Sequence, residues 1–520
     1  MSTIIRKVYV ISDLHLGGRF GDGAGDRGFR MMDRPDALAS FIEVLAEKQT
    51  APAVELVING DFVDFLAEEV SKDKWKPFRD EPGEAVDAFS RLASRKEDGE
   101  VFDALARFLD AGHRLTVLIG NHDIELTWPE VRAAFERRLR ESHKKTNRAF
   151  DLRWLLDGEA LIVGDALIEH GNRYDPANFV DHERLRHLRE LRSRRLYGRE
   201  RGIFHPPVGS RLVAEVMNPV KKDYPFIDLL KPESEPLFAL LLALDPSQRK
   251  RLGALAGVLS KIPLMPADTA SDPGYRQRIS GGDADRGISR SDIGSTASSA
   301  DDRALSALLS RIAPPEQAVE LQEGLARISD DVWEVSRNEI ASLADRAAAV
   351  LSLFRLVGQN TDGEMKKRLP LLRGAVRALR GDQTFDDGVE TGARYLRAAR
   401  ELAAKKEEKA RARAAGSAPV GFRFVIFGHT HHRKKLDLAE QGATYVNTGT
   451  WARLMKFPHR LLCNDDAVAV SALVDFVQSI KDGTYETDFV PSFARVDLRD
   501  DRHADAVELE TYDPASRKVG

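Results

Sequence analysis

One cysteine, Cys463, in 520 residues excludes an internal disulfide and a Cys-based zinc site. A lone thiol suits a reducing, cytoplasmic setting. Long apolar runs are also missing: none approaches the roughly 20 residues that cross a bilayer, which predicts a chain that does not span a membrane. Charge of one sign is lacking too. A formal net charge of −4 with 31 % charged residues gives no global pull towards nucleic acid or anionic lipid, so any such attraction must be local. Met1 to Ile11 has two basic residues and an apolar run that passes straight into a polar motif, so it is expected to be the first strand and not a signal peptide. No internal repeat is visible. The 42 % hydrophobic content is ample for a soluble core, and the length allows two or three domains.

Histidines and carboxylates at the ends of apolar runs are what the chain does have. Phe422, Phe424, Val425, Ile426 and Phe427 lead into Gly428-His429-Thr430-His431. Val8 to Ile11 runs into Asp13-Leu14-His15, Val54 to Ile58 into Gly60-Asp61-Phe62-Val63-Asp64, and Leu115 to Ile119 into Gly120-Asn121-His122-Asp123. Ala166 to Ile168 leads into Glu169-His170-Gly171-Asn172. Each is a β-rich run that stops at a polar turn, where α/β folds gather their chemistry. Helical spacing is expected at 36–48, 84–95, 101–110 and from Pro129, with a glycine-rich mobile loop at 16–30. The order β, helix, β, helix, β, helix, β indicates an α/β fold.

After His170 the pattern breaks. Residues 181–201 carry arginines at 184, 186, 189, 192, 194, 195, 199 and 201 around a stripe of Leu185, Leu188, Leu191 and Leu196, which predicts a helix with a basic face. That face is a solvated surface or a site for phosphate and anionic lipid. Residues 237–261 and 303–415 read as helices, and 268–302 is too polar to bury a core and reads as a flexible segment. A mostly helical insertion, 181–419, is thus expected between two parts of one catalytic domain, 1–180 and 420–515. A helix near 466–480 and strands near 486–498 and 504–511 complete the chain.

Asp13, His15, Asp61, Asn121, His170, His429 and His431 supply seven oxygen or nitrogen donors. Alternate residues of an extended chain share a side, so Asp13 with His15, and His429 with His431, could each put two donors on one ion, with a carboxylate between the pairs as bridge. Carboxylate, amide and imidazole without thiolate favour Mn²⁺, Fe, Zn²⁺ or similar ions over calcium. Two such ions roughly 3.5–4 Å apart would clamp a phosphoryl group and acidify a bridging water to hydroxide for an in-line attack.

These five blocks, in this order, resemble the motifs of the calcineurin-like metallophosphoesterases, over roughly 1–180 and 420–515. The resemblance implies a β-sandwich flanked by helices. It also implies one metal held by Asp13, His15, Asp61 and His431, and another held by Asp61, Asn121, His170 and His429. His122 would contact the phosphate and assist the leaving group, with Asp123 orienting it. Two divalent ions are implied, Mn²⁺ foremost, with Fe, Zn²⁺ or Mg²⁺ as alternatives. In motif style the chain is most similar to the bacterial UDP-2,3-diacylglucosamine pyrophosphohydrolase-like branch. The expectation is a cytoplasmic hydrolase of a phosphodiester or pyrophosphate bond in a small-molecule, nucleotide or lipid-linked substrate, with peripheral membrane contact through 184–201 as an option. A nuclease of the same superfamily and a non-catalytic scaffold are the alternatives. Asp64 is expected to fix its turn or support a ligand from behind.

Overall fold

A computed structural model describes residues 6–19, 29–47, 54–142, 150–175, 178–196, 203–221, 229, 393–415, 420–455, 458, 460, 463, 465–500 and 503–519. The glycines at 21, 23, 25 and 28, the polar segment 268–302 and the expected helices between 237 and 392 lie outside the described residues.

Two sheets face each other. The first contains β1 (Arg6–Ile11), β2 (Val54–Asn59), β3 (Arg114–Leu118) and β4 (Asp151–Leu155) in parallel, extended past β1 by antiparallel β12 (Ser492–Asp500), β13 (His503–Asp513) and β14 (Lys518–Val519). The second orders β5 (Leu161–Val163), β6 (Ala166–Ile168), β7 (Phe424–Phe427), β9 (Ala443–Asn447) and β8 (Lys434–Leu438). β6 and β7 pair in parallel, with Ile168 opposite Ile426, so the two ends of the insertion rejoin as neighbouring strands.

Alternation along the strands makes the layers. Val8, Val10 and Val57 point inward to meet Ile168, Phe424, Ile426 and Val446 between the sheets. Tyr9, Ile11, Leu56 and Ile58 point the other way, into a core shared with α1 (Pro35–Ala46), α2 (Pro82–Ala93), α3 (Lys96–Asp110) and α4 (Pro129–Glu141). Val425 and Phe427 pack outward with Tyr395, Ala398 and Ala399 of α8 (Ala393–Ala403). The result is the expected sandwich with helices on both sides.

Helix starts follow proline: α1, α2 and α4 each open with Pro at the first turn, where its missing N–H costs nothing. α3 starts at Lys96 rather than 101. Its first turn is polar, yet Asp98 is fully buried because Arg30 pairs with it at 2.6 Å, a tertiary contact that spacing does not reveal. α5 (His182–Ser193) carries the arginines, with Leu185 and Leu188 buried. Arg189 binds Asp157, Arg192 binds Glu81 at 3.0 Å and lies over Trp128, and Arg186 and Arg194 lean on Glu190. Much of the basic face is therefore occupied by the chain's own carboxylates, while Arg199 and Arg201 lie outside the described residues. A further helical run comprises α6 (Val208–Leu212), a π-turn (Val213–Met217) and α7 (Asn218–Lys221). α9 (Lys406–Ala414) follows α8, β10 (Leu454–Met455) pairs with β11 (Thr487–Asp488), and α10 spans Asp466–Asp482. Among the described residues no helix is long and apolar enough to cross a membrane.

Candidate metal centre

The ends of β1, β2, β3, β6 and β7 converge, and the loops leaving them bring the predicted donors together. Asp13, His15 and His431 form one group whose ligand atoms lie within 4.8 Å of one another, and Asp61, His170 and His429 form another. Asp61 stands between them, its Oδ2 3.1 Å from His170 Nε2 and 3.8 Å from His15 Nε2. Asn121 precedes His122, whose N donates to Asp61 Oδ1, and has a buried Oδ1 with no hydrogen-bond partner.

The spacing argument is corrected at one point. His429 and His431 do not share a group: the first joins Asp61 and His170, the second Asp13 and His15. The loop is not extended there. His429 and His431 have φ of 68° and 62°, and Asp13, His15 and Asp61 have 54°, 47° and 52°. Of nine described non-glycine residues in this sparsely populated region, five are expected ligands, so backbone strain gathers at the site. Close approach adds to it. A Cβ on Gly120 would collide with Asp61 Oδ1, and one on Gly60, φ 81°, would meet the His170 ring at 2.5 Å.

Hydrogen bonds hold this arrangement. His429 N donates to Asp13, and His122 N donates to Asp61 Oδ1 at 2.9 Å. Thr450 Oγ1 donates to the Asp13 carbonyl at 2.8 Å, and the Ser12 and Thr448 hydroxyls meet at 2.6 Å. Asn447 Nδ2 donates to Gly428 O and to Thr430 Oγ1, fixing the histidine loop from below. Sequence reasoning missed Asn447 to Thr450, although this run also ends an apolar strand in a polar turn.

The orienting carboxylate of His122 is Asp64, whereas Asp123 was expected in that role. Asp64 Oδ1 lies 3.1 Å from His122 Nδ1, and its Oδ2 is 3.5 Å from His15 Nδ1. Both Asp123 oxygens accept backbone N–H groups, from Gly120 at 2.6 Å and Phe62 at 2.8 Å, so this side chain clamps two motif loops together. His122 also lies within ligand distance of His15 and Asp61, so proximity alone does not separate it from the donors.

Burial and charge compete throughout. Burial would raise the Asp61 carboxyl, but His170 and His122 beside it hold it well below the usual range. Asp64 is likewise held well below, burial being overcome by His122 and then His15. Burial opposes the imidazolium of His170, yet Asp61 and Asp13 push it up to about 10. Asp123 is pushed up to about 7 by burial and by the Asp61 charge. A divalent cation fits this donor set. The carboxylates already draw positive charge, the imidazoles converge on them, and the buried Asn121 oxygen lacks a partner.

A two-sheet sandwich with Asp and His clustered at its strand ends is a scaffold that could hold metal ions. Residues 6–223 match the family model described as calcineurin-like phosphoesterase. The match covers less than half of the chain and supports that superfamily for this stretch. His429 and His431 lie beyond the matched stretch, and it is the pairing of β6 with β7 that delivers them. Comparison with curated proteins gave no match.

Proposed function

We propose that the chain is a dinuclear, metal-dependent phosphohydrolase that cleaves a phosphodiester or pyrophosphate bond, with Mn²⁺ as its preferred ion. The observation that carries this reading is the place of Asp61, whose Oδ2 faces one imidazole of each donor group. Asp13, His15 and His431 would hold one ion with Asp61, while Asn121, His170 and His429 would hold the other. Bound there, the ions supply Lewis-acid neutralisation of phosphoryl charge and lower the pKa of a water. The chain's own groups do the rest. Asp64 faces His122 Nδ1, a carboxylate placed to support the imidazolium form, in which Nδ1–H points at Asp64 and Nε2–H is the proton that would be given to the leaving oxygen. Asp123 keeps the loops of Asp61 and Asn121 in register through the Gly120 and Phe62 amides. Residues 1–180 and 420–515 form the catalytic unit, with 181–419 as a cap that contributes at the rim. Ser210 Oγ donates to the Asn121 carbonyl at 3.3 Å, and the Tyr395 ring stands 6.1 Å from that of His429. A cap this close grips more than a bare phosphate, which favours a diester or anhydride over a monoester.

The test is hydrolysis of a chromogenic phosphodiester and a phosphomonoester by the full chain, with Mn²⁺ added or chelated, beside Asp61→Ala and His122→Ala. Metal-dependent turnover favouring the diester and lost in both variants is expected. Turnover that survives chelation, or none at all with two ions bound, contradicts the reading, and the latter result points to a scaffold.

A further inference from the structure

We propose that Asp175 is a positioning residue of the second donor group, orienting His429 so that it offers Nδ1 to a divalent ion; this rests on the metal reading above. Two other imidazoles of the centre show the rule. His170 turns Nε2 towards Asp61, at 3.1 Å, and is held from behind by the Asn59 carbonyl, 2.8 Å from Nδ1. His15 turns Nε2 towards His431, at 3.3 Å, and has Asp64 at 3.5 Å behind Nδ1. Each thus has one nitrogen facing the donors and an oxygen on the side of the other, at hydrogen-bond distance in His170, the arrangement that sets tautomer and ring angle in metal sites. In His429 the order is reversed. Its Nε2 lies 3.2 Å from Asp175 Oδ2. A neutral imidazole donates through one nitrogen and accepts through the other, so a proton on Nε2, aimed at the carboxylate, leaves the Nδ1 lone pair for the ion.

Asp175 is itself held, and its support reaches a second ligand. Asn178 Nδ2 donates to Asp175 Oδ2 at 2.9 Å, and Asn172 Nδ2 donates to the Asn178 carbonyl at 3.0 Å. Asn121 Nδ2 in turn donates to Asn178 Oδ1 at 3.4 Å. With the Asn121 nitrogen engaged by Asn178, its buried Oδ1, which has no hydrogen-bond partner, is the atom left for an ion. Asp175 and Asn178, shortly after His170, therefore set the orientation of His429 and of Asn121 together. Both are expected on the same ion.

The test is calorimetric titration of the chelator-stripped full chain with Mn²⁺, comparing wild type with Asp175→Ala, Asp175→Asn and Asn178→Ala, and recording the melting temperature of each metal-free protein. Two equivalents are expected in wild type. Asp175→Ala should weaken one of them by about 10–100-fold and leave the other, and the metal-free melting temperature, unchanged. Asp175→Asn keeps an oxygen for the Nε2 proton and should recover most of that loss, and Asn178→Ala should weaken the same equivalent by less. Unchanged binding in Asp175→Ala overturns the proposal. So does Asp175→Asn binding as poorly as Asp175→Ala, which would make Asp175 a direct ligand, or a fall in melting temperature with loss of both equivalents, which would make it a general structural residue. Fewer than two ions in wild type overturns the dinuclear reading and this inference together, an outcome distinct from the others.

Discussion

The two donor groups sit side by side but are held by different parts of the chain. Asp13, His15 and His431 are braced from within the sandwich, by Ser12 and Thr448 at the ends of β1 and β9, by Thr450, and by Asn447 under the histidine loop. His429 and Asn121 are instead tied by Asp175 and Asn178, with Ser210 touching the Asn121 backbone, while His170 rests on the Asn59 carbonyl. The first group is braced by sandwich residues and the second by the residues that follow His170 and by Ser210, so the first should be the tighter ion site and the second the one that substrate contacts adjust.

Substitutions can break or sharpen this contrast. Asp61→Ala removes the carboxylate proposed to be shared by the two ions and should abolish binding of the second equivalent of Mn²⁺, weaken the first, and cut kcat/KM by at least about 1,000-fold, read by titration and steady-state kinetics. Asp64→Ala acts from the core side, freeing both His15 and His122. It should cost about 10–100-fold in kcat and weaken the first equivalent, whereas Asp175→Ala touches the second. Thr450→Val removes a single buried hydrogen bond to the Asp13 carbonyl, a loss of about 1 kcal/mol measurable by denaturant unfolding, with a small loosening of the first equivalent. Equal effects of Asp64→Ala and Asp175→Ala on both equivalents would dissolve the distinction between the groups.

A further prediction concerns a residue that belongs to neither group. Burial holds the His182 imidazole down at about 4, with Arg173 adding to the effect. A base whose folded pKa is depressed contributes stability that is present above its unfolded value near 6.5 and is lost as pH falls through about 4. The stability difference between wild type and His182→Gln should therefore shrink by about 1–3 kcal/mol between pH 7 and pH 4, with chelator present throughout. A constant difference over that range would show that His182 is not held neutral.

Much of the centre was legible because each strand is a short apolar run ending in a polar turn, and a rule about strand ends finds Asp13, Asp61, Asn121, His170 and His429 one at a time. The partition of the histidines was implied by the family resemblance but not by spacing. Alternation assumes extended backbone, and positive φ at His429 and His431 breaks that assumption. The supporting residues were hidden for a different reason. Asp64 could be suspected from its place in Gly60-Asp61-Phe62-Val63-Asp64, but its two partners, His15 and His122, lie on other loops. Asp175 follows His170 by five positions, yet its partner His429 is 254 residues away, and no spacing in the sequence announces that meeting. Of the arginines in 184–201, composition gives a basic face, and only the packing of α5 reveals that Arg189 and Arg192 grip Asp157 and Glu81.

The central claim is that Asp61 joins two ion sites into one centre, and electron paramagnetic resonance of the full chain loaded with Mn²⁺ tests it most directly. Two equivalents that give an exchange-coupled spectrum, reduced to at most a single uncoupled six-line signal in Asp61→Ala, are what a shared carboxylate predicts. One equivalent in wild type, or two equivalents with independent six-line signals, would mean that Asp61 does not bridge and that the dinuclear account is wrong.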